Sequence, residues 1–206
     1  QEISKNPSIE ISVLTPQVFW DSGRKSVTYP SKKESYNLLT GNVIFSNRVT
    51  GHFYIHGLKK AIREVNPDII HLEEEPWSNV AAQIHLIKKI YFMKFKLIVF
   101  SWENLDLKLR KIYKLTEKFT IRNANLLIAG GKTSKDRLIR RGAQPDSVRV
   151  LPQFGLDPDL FRLPLDNERN KIFTIAYIGR IMHLKGVDLA IQAFKKLKGN
   201  WKAIIV

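Results

Sequence analysis

The chain has 206 residues, 44% of them hydrophobic and 26% charged, enough for one large globular domain or for a domain and part of a second. It has no cysteine, so disulfides and thiolate metal sites are excluded, and no apolar run approaches the roughly 20 residues of a membrane-spanning helix. Lysine and arginine outnumber aspartate and glutamate by 34 to 19, a formal charge of +15 that favours anionic partners such as nucleotides, nucleic acid or anionic lipid.

Short β-branched runs alternate with longer amphipathic segments as far as residue 152. We predict strands at 9–16, 43–47, 68–72, 96–102, 125–130 and 148–152. The intervening segments have helical spacing at 54–65, 76–93, 105–123 and 132–142. Asn66-Pro67 is expected to end the first helix and Gly142 the last. Strands that alternate with helices indicate βαβ crossovers and an α/β domain with a doubly wound parallel sheet.

A second α/β series follows a predicted linker. Residues 153–170 contain two prolines and little periodicity, after which 171–179 is predicted as a strand, 186–198 as a helix and 201–206 as a strand. Two strands and one helix are too few for a stable open sheet, and "QEISKNPS" resembles the tail of a helix. We therefore expect a first domain at 1–152 that lacks its first strand, and a second domain of which 171–206 is only the beginning.

The segments around this junction resemble a known family. "VRVLPQFGLDPDLF" (148–161), followed by "IAYIGRIMHLKGVDLAIQAF" (175–194), is similar to the domain junction of family 4 retaining glycosyltransferases. "NPDIIHLEEEPWS" (66–78) resembles the fourth-strand region of the same family. The resemblance implies the GT-B fold, in which two Rossmann-like domains face each other across a cleft. The first of these domains usually receives the acceptor, and the second binds the nucleotide-sugar donor.

The resemblance also implies an activity. A family member transfers a sugar from a nucleoside-diphosphate sugar, with retention of anomeric configuration, to an acceptor such as a saccharide or a lipid-linked molecule. No cofactor and no metal are expected, because protein cations neutralise the diphosphate. The family's paired glutamates, which hold the donor sugar, have no counterpart in the segments matched here. We therefore expect little turnover from this chain by itself.

Gly179, Arg180 and Lys185 lie around the exit of the predicted strand 171–179. Glycine lets a ligand approach the backbone, arginine offers a planar fork of donors to two phosphate oxygens, and lysine adds a charge near a helix start. The resemblance implies that these residues bind the donor diphosphate and stabilise it as a leaving group. The spacing alone also fits an ordinary strand exit followed by a helix.

Three carboxylates, Glu73, Glu74 and Glu75, follow the predicted strand 68–72. They lie at the edge where open α/β sheets bind ligands. Strand alternation predicts that Glu73 and Glu75 point one way and Glu74 the other. Two interpretations stay open: hydrogen bonding to acceptor hydroxyls, or a solvated loop whose carboxylates favour the amino end of the next helix.

Glu103 follows Trp102 at the end of the predicted strand 96–102. Many members of the family have a histidine here, near the anomeric carbon of the donor sugar, whereas this sequence has "FSWEN". Glu103 takes that position when the alignment is shifted by one residue. A carboxylate there is a candidate catalytic base or hydrogen-bond acceptor. The alternative is a residue that caps the helix expected to begin near Leu105.

One face of the predicted helix 105–123 is basic. It carries Lys111, Lys114, Lys118 and Arg122, opposite Leu109, Ile112 and Phe119. An ordinary solvated polar face is one interpretation, and docking on an anionic membrane surface is the other. The absence of cysteine suits a cytoplasmic protein, so we expect a cytoplasmic location with or without membrane association.

Two rival functions remain at this point. A basic α/β module that binds nucleic acid would explain the charge, but the sequence contains no nucleic-acid recognition motif, so no nucleic acid is expected as a partner. Another GT-B enzyme, such as a nucleotide-sugar epimerase, would share the architecture.

Overall fold

The computed structural model describes residues 3–21, 23–32, 36–152, 155–162 and 171–206. These residues belong to two units, Gln1–Phe154 and Gly155–Val206, each with its own sheets. The described strands of the first unit are β1 (Ser12–Pro16), β2 (Val18–Asp21), β3 (Arg24–Val27), β4 (Ser31–Lys32), β5 (Asn37–Ile44), β6 (Phe53–His56), β7 (Ile69–Leu72), β8 (Lys96–Ser101), β9 (Leu126–Ala129) and β10 (Val148–Val150). Its α-helices are α1 (Leu58–Val65), α2 (Asn79–Ile90), α3 (Lys111–Asn123) and α4 (Lys132–Arg140).

A four-stranded parallel sheet in the order β10-β9-β8-β7 forms one layer of the first unit. The prediction of a parallel α/β sheet is therefore confirmed. Leu97 and Val99 on β8 and Leu127 on β9 are fully buried, because these two strands lie inside the sheet. That position explains the nearly continuous apolar run at 96–102. The core continues into α2, whose Ala81 and Ile84 pack against these strands.

The front of the first unit is a mixed sheet, which the sequence pattern did not predict. β5 pairs with β1 in parallel and with β4 and β6 antiparallel, while β2 and β3 form a hairpin. The strand predicted at 43–47 is only the end of β5. The first four residues of β5 are all half-buried, so this part of the strand lacks the alternation of buried and exposed positions that a sequence pattern can reveal.

The helix predicted at 54–65 begins at Leu58, because its first residues form β6. The chain turns from β6 into α1 at Gly57, whose φ of 97° favours glycine. A Cβ at Gly57 would lie 2.6 Å from the Cα of Gly41, so the two strands approach closely here. Tyr54 is buried between two exposed neighbours, which is the period of a strand and not of a helix.

Two other helix starts differ from prediction. α2 begins at Asn79, not at Pro76, because Ser78 is its N-cap and accepts a hydrogen bond from the Ala81 amide at 3.1 Å. α3 begins at Lys111, not near Leu105, and residues 102–110 form an irregular segment. α4 ends as predicted, followed by Gly142 with a φ of 104°.

The second unit contains β11 (Phe173–Tyr177), α5 (Val187–Phe194) and β12 (Trp201–Ile205). The two strands pair in parallel, which confirms the predicted βαβ element. The described part of the predicted linker, 155–162, has neither helix nor strand, and Asp157 accepts the backbone amides of Phe161 and Asp159 in a turn. Residues 153, 154 and 163–170 lie outside the described residues. Among the described helices, none combines the length and apolar character needed to cross a bilayer.

Candidate functional site

The carboxyl ends of β7, β8 and β9 meet at one edge of the parallel sheet, beside the amino end of α4. A cavity of about 290 Å³ lies at this edge. Ligands of open α/β sheets bind at such edges. The cavity is lined by Glu75, Trp102, Glu103, Asn104, Gly130, Gly131, Thr133 and Ser134.

Glu75 ties the end of β7 to the segment that follows β8. Its Oε2 accepts a hydrogen bond from Ser101 Oγ at 2.7 Å. Its Oε1 accepts the backbone amides of Trp102 and Glu103 at 2.8 and 2.9 Å. Both carboxylate oxygens are therefore used to hold the chain around Glu103. Ser101 is itself fixed, because its carbonyl accepts a hydrogen bond from Ser134 Oγ on α4.

Opposing influences act on the pKa of Glu75. Burial raises the pKa of this carboxyl group above its ordinary value, and this is the largest influence. The three hydrogen bonds from Ser101, Trp102 and Glu103 lower the pKa, as does the positive charge of Arg137, without cancelling the effect of burial. The carboxylate is thus held by donors that favour its charged form.

Glu74 points into a second polar cluster. Its Oε1 lies 3.7 Å from Nε2 of His52, and both side chains are largely buried. Nδ1 of His52 is 2.8 Å from the carbonyl oxygen of Val49, which can only accept, so Nδ1 carries a hydrogen and Nε2 faces Glu74. Burial, followed by repulsion from Glu75, raises the pKa of Glu74 to about 8. A carboxyl group in this range can donate or accept a proton near neutral pH.

Aromatic rings surround this second cluster. Phe19 and Tyr54 meet the ring of His52 edge to face, with centroids 5.3 and 5.9 Å away. Burial and the charge of Glu74 together raise the pKa of Tyr54, so its hydroxyl stays protonated. The apolar surroundings account for the shift at Glu74, because they disfavour a charge.

The three glutamates differ in burial, and the alternation of their directions stays a prediction. Glu74 and Glu75 are the two buried members, whereas Glu73 is half-exposed and lies 3.2 Å from Nε2 of His71. The reason is that β7 ends at Leu72, so the burial of residues 73–75 need not follow the two-residue period of a strand. The alternative of a solvated loop does not hold for Glu74 and Glu75, because both are largely buried, and the N-cap of α2 is Ser78.

Glu103 lines the cavity, and its own segment holds it. Oε1 accepts the backbone amides of Asn104 and Leu105 at 3.0 and 2.8 Å. Oε2 accepts no hydrogen bond from the described residues. Glu103 therefore does not cap a helix that begins near Leu105, because α3 starts six residues later at Lys111. It stabilises a turn and keeps one oxygen available at the cavity.

Trp102 and Gly130 form a tight contact on the cavity wall. The Trp102 ring stacks on Phe100 with centroids 6.0 Å apart and an interplanar angle of 23°. A Cβ added to Gly130 would lie 2.4 Å from this ring. The ring can take its place only because residue 130 has no side chain. Sequence analysis missed this residue, although the Gly130-Gly131 pair between a strand and a helix was a visible signal.

Arg137 supports the site from inside the protein. It is fully buried on α4, and its Nη2 lies 2.6 Å from Glu117 Oε1 on α3. Its Nε donates to the carbonyl oxygen of Leu105 at 2.9 Å, and its guanidinium carbon lies 4.8 Å from the ring of Trp77. The irregular segment 102–110 is thereby fastened to α3 and α4. Arg137 was not predicted, because its partner is twenty residues away along the chain.

The second unit carries the predicted phosphate-binding residues at the exit of β11. Gly179 donates its amide to the carbonyl oxygen of Val206 at 3.0 Å and is followed by Arg180, which is exposed. Lys185 is the last residue of a 3-10 turn, His183–Lys185, and its carbonyl oxygen accepts the Tyr177 hydroxyl at 3.0 Å. Gly186, with a φ of 66°, is the N-cap of α5. The diphosphate-binding role of these residues stays a prediction.

In the described part of the chain, no three histidine, aspartate or glutamate side chains are grouped so that they could hold a metal ion. The expectation that the protein works without a metal or another cofactor stays a prediction.

Solved structures of similar fold identify the architecture. HepE from Anabaena in complex with UDP matches with a TM-score of 0.60 and 15% identity, over 82% of this chain and 46% of HepE. HepE in complex with UDP-glucose matches with a TM-score of 0.54 and 15% identity, over 71% of this chain and 42% of HepE. The fold is that of the GT-B glycosyltransferases.

The chain spans less than half the length of the HepE structures that it matches. The apo form of WaaB, a lipopolysaccharide outer core galactosyltransferase, also matches, with a TM-score of 0.49 and 17% identity over 71% of this chain and 38% of WaaB. No protein-family profile matches the chain, and no curated protein is significantly similar in sequence. Its GT-B fold is therefore established by structure alone.

Proposed function

We propose that this chain belongs to a retaining glycosyltransferase of family 4, which transfers a sugar from a nucleoside diphosphate to an acceptor hydroxyl. The observation that carries the proposal is the cavity at the ends of β7, β8 and β9, which is lined by Glu103, a residue whose Oε2 accepts no hydrogen bond from the described residues. The GT-B fold and the UDP and UDP-glucose bound to HepE support a nucleotide-sugar donor.

In the proposed reaction, the bond between the sugar's anomeric carbon and the diphosphate oxygen breaks. A new bond forms on the same face of the sugar to the acceptor oxygen, and the proton of the acceptor hydroxyl passes to the Glu103 carboxylate. Glu103 accepts a hydrogen bond from the reacting hydroxyl or sugar, and Arg180 and Lys185 neutralise the departing diphosphate. Gly179 leaves the backbone beside them accessible.

The neighbouring glutamates have different parts in this proposal. Glu75 is a positioning residue, because its two oxygens hold the amides of Trp102 and Glu103. Glu74 and Glu73 remain candidates for acceptor binding, of which Glu74 has the buried environment that a specific contact needs. We also propose a cytoplasmic location and a saccharide or lipid-linked acceptor, with neither metal nor cofactor.

The full-length protein that carries this sequence should bind UDP or GDP. We expect Arg180→Ala to weaken nucleotide binding roughly tenfold to a hundredfold, because a charge-assisted contact to phosphate is lost. Lys198→Ala, an exposed lysine of the same unit, is the matched control and should bind normally. Isothermal titration calorimetry measures both. Absence of nucleotide binding by the unmodified protein would refute the proposed donor.

The transfer step is tested with Glu103→Gln, against Glu64→Gln as an exposed control. Loss of proton acceptance should lower kcat by roughly 100-fold to 10,000-fold while the donor KM changes little. NMR of the freshly formed product determines its anomeric configuration. An inverted product would contradict the retaining mechanism, and an unchanged kcat in Glu103→Gln would remove Glu103 from the reaction.

A further inference from the structure

The surface of α3 is unusual because three of its apolar side chains are exposed. Ile112 and Leu115 are 62% and 64% exposed, and Phe119 is 48% exposed. The side chains that α3 buries are Glu117, Thr120 and Ile121. α3 therefore exposes apolar side chains as well as the basic ones that the sequence pattern places opposite Ile112 and Phe119. Arg137 accounts for the orientation, since its buried guanidinium holds Glu117 and turns the apolar side away from the sheet.

Exposed cations flank this apolar stripe. Ile112, Leu115 and Phe119 follow the three- and four-residue spacing that places side chains on one helix face. Along one side of that stripe lie Lys111, Lys114, Lys118 and Arg122, all exposed. The only acidic residue of α3 is Glu117, which is buried, so the surface of this helix carries positive charge without a compensating carboxylate.

Helix α2 extends the same surface. β7 and β8 are neighbouring strands, and the helices that follow them touch through the rings of His85 and Phe119, whose centroids are 4.9 Å apart. Leu86 and Ile90 of α2 are 57% and 53% exposed, and α2 contains no acidic residue. The combined surface, the α2–α3 face, consists of Leu86, Lys89, Ile90, Lys111, Ile112, Lys114, Leu115, Lys118, Phe119 and Arg122.

We propose that the α2–α3 face docks on a bilayer surface that contains anionic lipid. Lysine and arginine heads pair with lipid phosphates, while the aliphatic and aromatic side chains between them enter the boundary between head groups and acyl chains. A nucleic-acid backbone would use the cations but gain little from exposed leucine and isoleucine. A second copy of this face would bring cations against cations. The proposal depends on this surface and not on the transferase reaction.

The test is flotation of the 206-residue chain with vesicles of phosphatidylcholine, with and without phosphatidylglycerol. We expect binding only when phosphatidylglycerol is present. Binding should weaken as salt rises from about 0.1 M to about 1 M, because the screening length falls from about 10 Å to about 3 Å. Equal binding to both vesicle types, or no binding to either, would overturn the proposal.

Two variants distinguish the contribution of the lysine charges to vesicle binding from that of the apolar side chains. The triple change Lys111→Gln, Lys114→Gln and Lys118→Gln should weaken vesicle binding by roughly fivefold per lysine, on the order of 100-fold together. The double change Ile112→Ser and Leu115→Ser should weaken it roughly tenfold or more, because two side chains no longer leave water. All five positions are exposed, so thermal unfolding should be nearly unchanged.

Matched controls use the same chemistry on the second unit. Lys195→Gln, Lys196→Gln and Lys198→Gln remove three exposed charges, and Leu156→Ser with Leu160→Ser replaces side chains that are 76% and 74% exposed. Both controls should keep vesicle binding. A loss in the controls as large as in the α2–α3 variants would show nonspecific attraction and overturn the proposal. So would duplex DNA binding that is sensitive to the lysine changes and insensitive to the serine changes.

Discussion

Gly130, at the end of β9, shows how a single absent side chain shapes the cavity. Gly130→Ala would place a methyl group 2.4 Å from the ring of Trp102, so the ring or the backbone must move. We expect a loss of about 1–3 kcal/mol in the free energy of unfolding, measured with urea, and altered tryptophan fluorescence. Gly131→Ala is the control, because nothing lies within 4 Å of its Cβ position. Its cost should stay below about 1 kcal/mol, and equal effects would contradict the tight contact.

The raised pKa of Glu74 predicts that the stability of the folded protein depends on pH. Because the pKa rises from its ordinary value of 4.5 to about 8, the folded protein keeps a proton that the unfolded chain releases between these values. The stabilisation is fully present below about pH 4.5 and is lost as pH rises toward about 8. Glu74→Gln stays neutral throughout. Between about pH 5 and about pH 8.5, the free energy of unfolding of Glu74→Gln should therefore rise by on the order of a few kcal/mol relative to that of the unmodified protein.

Urea unfolding at a series of pH values measures this difference. The titratable groups that face or influence Glu74 are His52, Glu75 and Tyr54, and all three are present in both proteins. Glu73→Gln is the matched control, since that side chain is half-exposed and pairs with His71. Its unfolding curves should follow those of the unmodified protein. If Glu74→Gln does so too, the carboxyl group does not carry a proton in the folded state.

At the scale of elements, the ion pair between Arg137 and Glu117 joins α3 to α4. Glu117→Leu leaves the buried Arg137 without its carboxylate, and Arg137→Met leaves Glu117 with only Arg141, 3.8 Å away, so each change should cost about 3–5 kcal/mol. The double variant should cost much less than the sum of the two, because neither charge remains. Urea unfolding of the four proteins gives the coupling energy. The exposed pair Arg140–Asp106, at 3.0 Å, is the control and should couple by less than about 1 kcal/mol.

Some elements of the first unit follow from the local sequence, whereas others depend on contacts between residues far apart in the chain. β7, β8 and β9 were predicted nearly to the residue, because continuous apolar runs between turn residues indicate buried parallel strands. β5 and β6 were not, because their lengths depend on pairing with each other and with β1. The start of α3 was also missed, since Glu103 and Arg137 hold the preceding segment in an irregular form.

At the scale of the whole molecule, the charge of +15 predicts how the protein responds to salt. In the full-length protein, the affinity for UDP should fall as salt rises from about 0.1 M to about 1 M, because exposed cations are screened. Arg180→Ala should reduce the slope of this dependence, whereas Lys198→Ala should leave it unchanged. Titrations at several salt concentrations test the prediction. Equal slopes in all three proteins would mean that Arg180 makes no contact with phosphate.

The candidate site was predicted in part. The carboxylates after β7 and β8 were found because chemistry at the carboxyl edge of a parallel sheet is a general rule, and Glu75 and Glu103 do line one cavity. His52, Ser101 and Arg137 were missed, because each acts on a residue more than twenty positions away. No local pattern in the sequence marks such partners.

The sequence by itself determined the order of strands and helices from β7 onward, the parallel βαβ connections and the edge at which carboxylates collect. These follow from periodicity, turn residues and the handedness of crossovers, which act over short stretches of chain. Only the tertiary structure decided that Glu74 is buried beside His52, that Glu75 positions Glu103, and that α3 exposes Ile112 and Leu115 while burying Glu117. Burial and ion pairing between distant residues set these orientations, and they can override the hydrophobic pattern of a single helix.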